Sequence, residues 1–147
     1  MTPHRLLALA ACLLISSAAV AERRLPLALP ILEQSTDVLG QPIVYPEGQA
    51  RISSVVITLA PGAETGWHSH PVPLYGHVLE GTLTVDYGEK GIRVFRAGEA
   101  LLEAVNWPHN GSNRGDVPVK ILAVSIGSKG RPNSTPATAP AAPAAAR

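Results

Sequence analysis

Short aliphatic runs separated by glycine- or proline-bearing turns dominate this chain from Ile52 onward, and none of them sustains a helical period. Ile52 to Leu59 holds Val55-Val56-Ile57-Thr58 and stops at Pro61-Gly62. Val78-Leu79 and Leu83 to Tyr87 flank Glu80-Gly81, a turn or kink. Ile92 to Phe95 follows Gly88-Glu89-Lys90-Gly91, which reads as a hairpin loop. Ala100 to Val105 follows Ala97-Gly98, and Val119 to Ile126 is the last strong β-branched run. With 13 glycines and 14 prolines in 147 residues, a long helical bundle is excluded. Strands of about five to eight residues at this spacing predict an all-β sandwich or barrel in a single domain.

The two ends lie outside that pattern. Met1 to Arg5 carries one arginine, Leu6 to Ser17 is an apolar run, and Ala19-Val20-Ala21 offers small residues at both positions a signal peptidase reads. Residues 1–21 are therefore expected to be a cleaved signal peptide, which places the mature chain in the periplasm or outside the cell. The run is too short for a stable membrane span. Two alternatives are an uncleaved interfacial helix and lipoprotein processing at Leu9-Ala10-Ala11-Cys12, which leaves a short apolar run before the cysteine. Arg23-Arg24 follows the apolar run, so it is no twin-arginine signal. Cleavage removes Arg5 and Cys12, leaving 11 basic against 11 acidic residues and no cysteine. A disulfide framework and a multi-cysteine zinc site are excluded, and the charge balance gives no sign of nucleic-acid binding.

Residues 22–39 read as an N-terminal arm, in which Leu25, Leu27, Leu29 and Ile31 alternate with Pro26, Ala28 and Pro30. Residues 40–130 read as the barrel. Residues 131–147 are almost all Ala, Pro, Thr and Ser, with no aliphatic side chain larger than Ala, and are expected to be a disordered tail. A small barrel has strand edges to cover, so a homodimer is expected, with the arm as a candidate cover.

Four histidines remain after cleavage, and His68 and His70 are separated by one residue. On a strand these two project from the same face, as two metal ligands would. His109 lies two or three strands downstream, where an antiparallel meander can return it to the first pair. Three neutral imidazoles suit a borderline divalent metal. Taken alone, His68 and His70 also read as loop histidines.

Gly62 to His70, running on to Gly81, resembles the first motif of the cupin superfamily, G-x5-H-x-H-x3,4-E-x6-G. Gly98 to Asn113 resembles the second, G-x5-P-x-G-x2-H-x3-N, with Gly98, His109 and Asn113 intact. The resemblance implies a double-stranded β-helix, a jelly-roll barrel of one domain, with His68, His70 and His109 at the family's histidine-ligand positions. Three positions depart from it. Leu74 stands where the motif has its carboxylate ligand, Ala104 where it has proline and Asn106 where it has glycine. His77 should face away from position 74 unless a bulge turns it inward as a replacement ligand. Trp67, Trp107 and Tyr75 are candidates for rim packing or for lining a pocket. Glu64, Glu99 and Glu103 are expected to face solvent, so no strong general base stands out and catalytic residues are not assigned.

These observations point to one divalent metal per chain, of identity Fe, Zn, Mn, Cu or Ni, and to a small-molecule substrate or ligand. The leading expectation is a metal-dependent enzyme, dioxygenase-, isomerase- or lyase-like. The alternative is a non-catalytic binder of a metal ion or small ligand.

Overall fold

A computed structural model describes residues 27–140 of the chain. The signal-peptide reading of residues 1–21, Cys12, Leu25 and the last seven residues of the tail lie outside the described residues. In chain order the strands are β1 (Ala50–Leu59), β2 (His68–Ser69), β3 (Leu74–Glu80), β4 (Thr82–Asp86), β5 (Ile92–Arg96), β6 (Ala100–Leu102), β7 (Asn110–Asn113), β8 (Val119–Ser128) and β9 (Thr135–Pro136). They form a four-stranded sheet in the order β1-β8-β3-β6, a three-stranded sheet β5-β4-β7 and the pair β2-β9, with every pairing antiparallel. The all-β jelly-roll expectation holds. No helix of the described residues is long and apolar enough to cross a membrane.

The two larger sheets pack face to face because their inner positions are aliphatic. Leu59, Val78, Val119 and Ile121 come from one sheet and Leu83 and Val85 from the other, and Tyr87 and Ala104 complete the cluster. Alternation is strict along β8, where Val119, Ile121, Ala123 and Ser125 point inward. Gly81 closes the β3–β4 turn at φ +75, and a Cβ there would sit 2.6 Å from the Pro118 carbonyl oxygen. Only glycine meets both demands.

Two boundaries differ from the sequence reading. The arm is attached to the barrel before residue 40. Asp37 is buried, its Oδ1 accepts from the Leu39 and Gln41 amides, and its Oδ2 accepts from the Val105 amide. Residues 27–31 form no strand, and Leu27, Leu29 and Ile31 are exposed. The tail is not free from residue 131. β9 pairs with β2, the Ala137 amide donates to the Trp67 carbonyl, and Asn133 Nδ2 donates to Ser53 Oγ at 2.6 Å. Backbone hydrogen bonds, which need no aliphatic side chain, hold this segment, and the composition gave no sign of them.

Candidate metal centre

Backbone pairing, rather than a long strand, assembles the histidines. β2 is only two residues, but His68 and His109 form an antiparallel bridge in which each amide donates to the other's carbonyl, at 3.0 and 2.9 Å. His70 bridges Val105 in parallel sense, and the Asn106 amide donates to the His70 carbonyl at 2.8 Å. The ring centroids of His68, His70 and His109 lie 4.5 to 5.1 Å apart, and one ligand nitrogen from each falls within 4.8 Å of the others. All three predicted ligands are brought together.

Each ring is held at one nitrogen. Nδ1 of His68 meets the Gly66 carbonyl, Nδ1 of His70 the Asn133 carbonyl and Nδ1 of His109 the Trp107 carbonyl, each at 2.8 Å. A carbonyl only accepts, so each Nδ1 carries the hydrogen and donates it. The neutral ring then keeps its Nε2 lone pair free. His109 Nε2 is buried and has no hydrogen-bond partner. Burial also lowers the pKa of His70 and of His109 to about 4, which keeps both rings neutral at pH 7. Three imidazoles oriented through Nδ1, two of them held neutral by burial and one with an orphaned buried nitrogen, fit a divalent metal in donor type.

Glu103 is the correction at this site. The sequence reading has it facing solvent. Instead Leu101 and Glu103 point inward and Glu103 is 6% exposed. β6 ends at Leu102, and register within it is offset by one residue from the aliphatic alternation. Oε1 of Glu103 accepts from the Tyr87 hydroxyl at 2.6 Å and from the Ala104 amide at 2.8 Å, while Oε2 lies 3.8 Å from His109 Nε2. Burial raises the pKa of this carboxyl, and burial with the neighbouring Glu103 raises that of Tyr87. Glu64 and Glu99 are exposed as expected.

His77 lies outside the cluster. It keeps the strand alternation, on the face of Tyr75 and opposite Leu74 and Gly76. The register shift in β3 comes later, between Val78 and Glu80. Trp107 packs against the core and donates Nε1 to the Tyr87 carbonyl, so it is a structural residue. Trp67 lines an outer cleft of about 440 Å³. An inner cavity of about 70 Å³ adjoins it, and both are lined by His68, His70, Leu74 and Thr65. The inner wall is aliphatic apart from the histidines, Thr65 and Glu103, and no lysine or arginine lines either space.

The family profile described as Cupin domain matches residues 55–125. The chain carries a cupin domain over those residues. Among solved structures, an oxalate oxidase in complex with glycolate aligns with the cupin at 25% identity and a TM-score of 0.51, over 58% of this chain and 45% of its own. A second oxalate oxidase structure, with the substrate analogue glycolate, aligns at 25% identity and a TM-score of 0.50, over 57% and 45%. The Lactobacillus farciminis oxalate decarboxylase in its formate complex shares the fold at 22% identity and a TM-score of 0.50, over 60% and 27%. The chain spans less than half the length of these proteins. No curated protein matches it at a significant level.

Two of the cupin's motif departures have visible consequences. Asn106, at the glycine position, adopts φ +54, a left-handed conformation that asparagine tolerates. Leu74, at the carboxylate position, lines both spaces and offers no ligand atom. Asn113 is a staple: its Nδ2 donates to the Leu59 and Val117 carbonyls and its Oδ1 accepts from the Gly115 amide. Sequence reasoning missed Asn133 and Asp37. An asparagine in an Ala/Pro-rich segment and an aspartate in an apolar arm were the only signals.

Proposed function

We propose that Nε2 of His68, His70 and His109 holds one divalent metal, and that the cupin is a metal-dependent enzyme acting on a small organic molecule. The observation that carries this reading is the set of three Nδ1-to-carbonyl hydrogen bonds, which leaves three Nε2 lone pairs for one ion. Such an ion would act as a Lewis acid on an oxygen of a bound substrate. The protein's part is to fix the imidazoles, to exclude water with Leu74, Leu101, Val85 and Ile121, and to admit the substrate past Trp67. With no cationic side chain on either lining, a chelating diketone, catechol or 2-hydroxy acid suits the space, its oxygens toward the metal and its carbon skeleton against the aliphatic wall. The glycolate bound by the related oxalate oxidase is of the last class. The N-terminal sequence supports export to the periplasm or beyond.

To test the reading, metal-stripped protein is reloaded separately with iron(II), manganese(II) and zinc(II). Each form is then offered glycolate, oxalate, a 1,3-diketone and catechol, while oxygen uptake and products are followed. Turnover that depends on the metal and disappears in His109→Ala is the expected result. Ligands that perturb the metal's spectrum without turnover in any form would overturn the enzyme reading in favour of a binder.

We further propose a homodimer. β1 is an edge strand of ten residues, and Ile52 and Val56 on its outer face are 70% and 57% exposed. A second copy related by a two-fold axis covers both edge and face. Light scattering at micromolar concentration should give twice the chain mass, and a monomer mass would contradict the proposal.

A further inference from the structure

The carboxylate missing at position 74 has a counterpart directly across the strand pair. β3 and β6 pair Tyr75 with Leu102 and Gly76 with Leu101, and the Glu103 amide continues the ladder by donating to the Leu74 carbonyl at 2.8 Å. Glu103 is thus the cross-strand neighbour of Leu74. Side chains at such opposed positions emerge side by side, about 5 Å apart, toward one space. Both residues line the inner cavity, and Glu103 Oε2 lies 3.8 Å from His109 Nε2 there.

The two oxygens of Glu103 are used differently. Oε1 is fixed by Tyr87, which is itself fully buried, and by the Ala104 amide. Oε2 has no hydrogen bond and lies 3.8 Å from the orphaned Nε2 of His109. One oxygen tied to outer donors and the other free beside a ligand nitrogen is the arrangement of a carboxylate that binds a metal through a single atom. Two ligand atoms on one metal ion sit about 3 Å apart at bond lengths near 2 Å, so a small rotation of the carboxyl brings Oε2 into place.

We propose that Glu103 is a fourth metal ligand, binding through Oε2, so that the site is three imidazoles and one carboxylate supplied from the strand opposite Leu74. Tyr87 is a positioning residue that holds the other oxygen. The proposal rests on the three-histidine reading above. It implies a site with one unit less positive charge than three histidines alone would give and one open position fewer for substrate.

Zinc is the probe, because it takes four ligands in a tetrahedral site. In crystals of the full mature chain loaded with zinc, Glu103 Oε2 should lie about 2.0–2.2 Å from the ion, together with the three Nε2 atoms. Glu103→Gln keeps the size of the side chain and an oxygen for the Tyr87 and Ala104 donors. Its zinc affinity, measured by competition with a chelating dye, should fall more than about 100-fold, beyond the 10–100-fold of an outer-shell partner, and Tyr87→Phe should fall within that smaller range. Zinc on the three histidines with Oε2 more than about 3 Å away would overturn the proposal and leave the histidine reading standing. Zinc found away from His68, His70 and His109 would overturn both. If Glu103→Gln fails to fold, the distance in the native chain decides.

Discussion

In His109→Ala the metal content should fall from one ion per chain to nearly none, and affinity should drop by well over about 100-fold, more than loss of an outer-shell contact brings. His109 is the most enclosed of the three ligands. It is 2% exposed, its backbone is bridged to His68 by two hydrogen bonds, and its Nε2 has no other partner. Alanine leaves two imidazoles and opens a gap beside Tyr87, whose ring centroid is 5.7 Å from that of His109. His68→Ala and His70→Ala should behave alike. His77→Ala is the control: its side chain is on the opposite face of β3 and should leave metal content at the native level. Elemental analysis of the four variants after dialysis checks this. Loss of metal in His77→Ala with retention in His109→Ala would show that the ligand set is wrong.

Acid should destabilise the metal-free protein between about pH 6.5 and pH 4. His70 and His109 titrate at about 4 in the fold, held down by burial, against about 6.5 in an unfolded chain. In that window the unfolded state takes up two protons that the native state refuses. Stability is therefore full above pH 6.5 and is lost as pH falls toward 4. Each histidine contributes a slope of about 1.4 kcal/mol per pH unit. Glu103 acts in the opposite sense, because burial raises its pKa and the native state takes up its proton before the unfolded state does. One proton against two leaves a net loss. Bound metal adds stability at neutral pH by binding only the native state, and acid removes that as well, since protons compete for Nε2. Thermal melts of metal-free and metal-loaded protein from pH 7.5 to 4.5 should converge as both fall. A melting temperature of the metal-free protein that holds steady or rises on acidification would contradict this account.

Much of this architecture was legible because strand alternation and turn glycines are local signals. Val119 to Ile126 fills eight of the ten residues of β8, and Gly81 marks a turn that no other residue fits. His68, His70 and His109 stood out through their spacing within two motifs. The rest depends on backbone pairing between distant segments, which leaves no periodic trace. Asn133 orients His70 through its carbonyl, a group every residue carries, so nothing in its side chain announced the role. β9 is likewise held by backbone pairing, whereas the Asp37 turn is held by its side-chain carboxylate, which accepts from the Leu39 and Gln41 amides. Glu103 was misplaced because a strand of three residues is too short for alternation to fix which side faces in.

The central claim is that one divalent metal sits on three Nε2 atoms. Elemental analysis of the mature protein, produced without a metal-binding tag and dialysed against a weak chelator, tests it most directly. One first-row divalent ion per chain is the predicted result, recovered at the same ratio after stripping and reloading. Protein that stays metal-free after incubation with excess iron(II), manganese(II) and zinc(II) would contradict it.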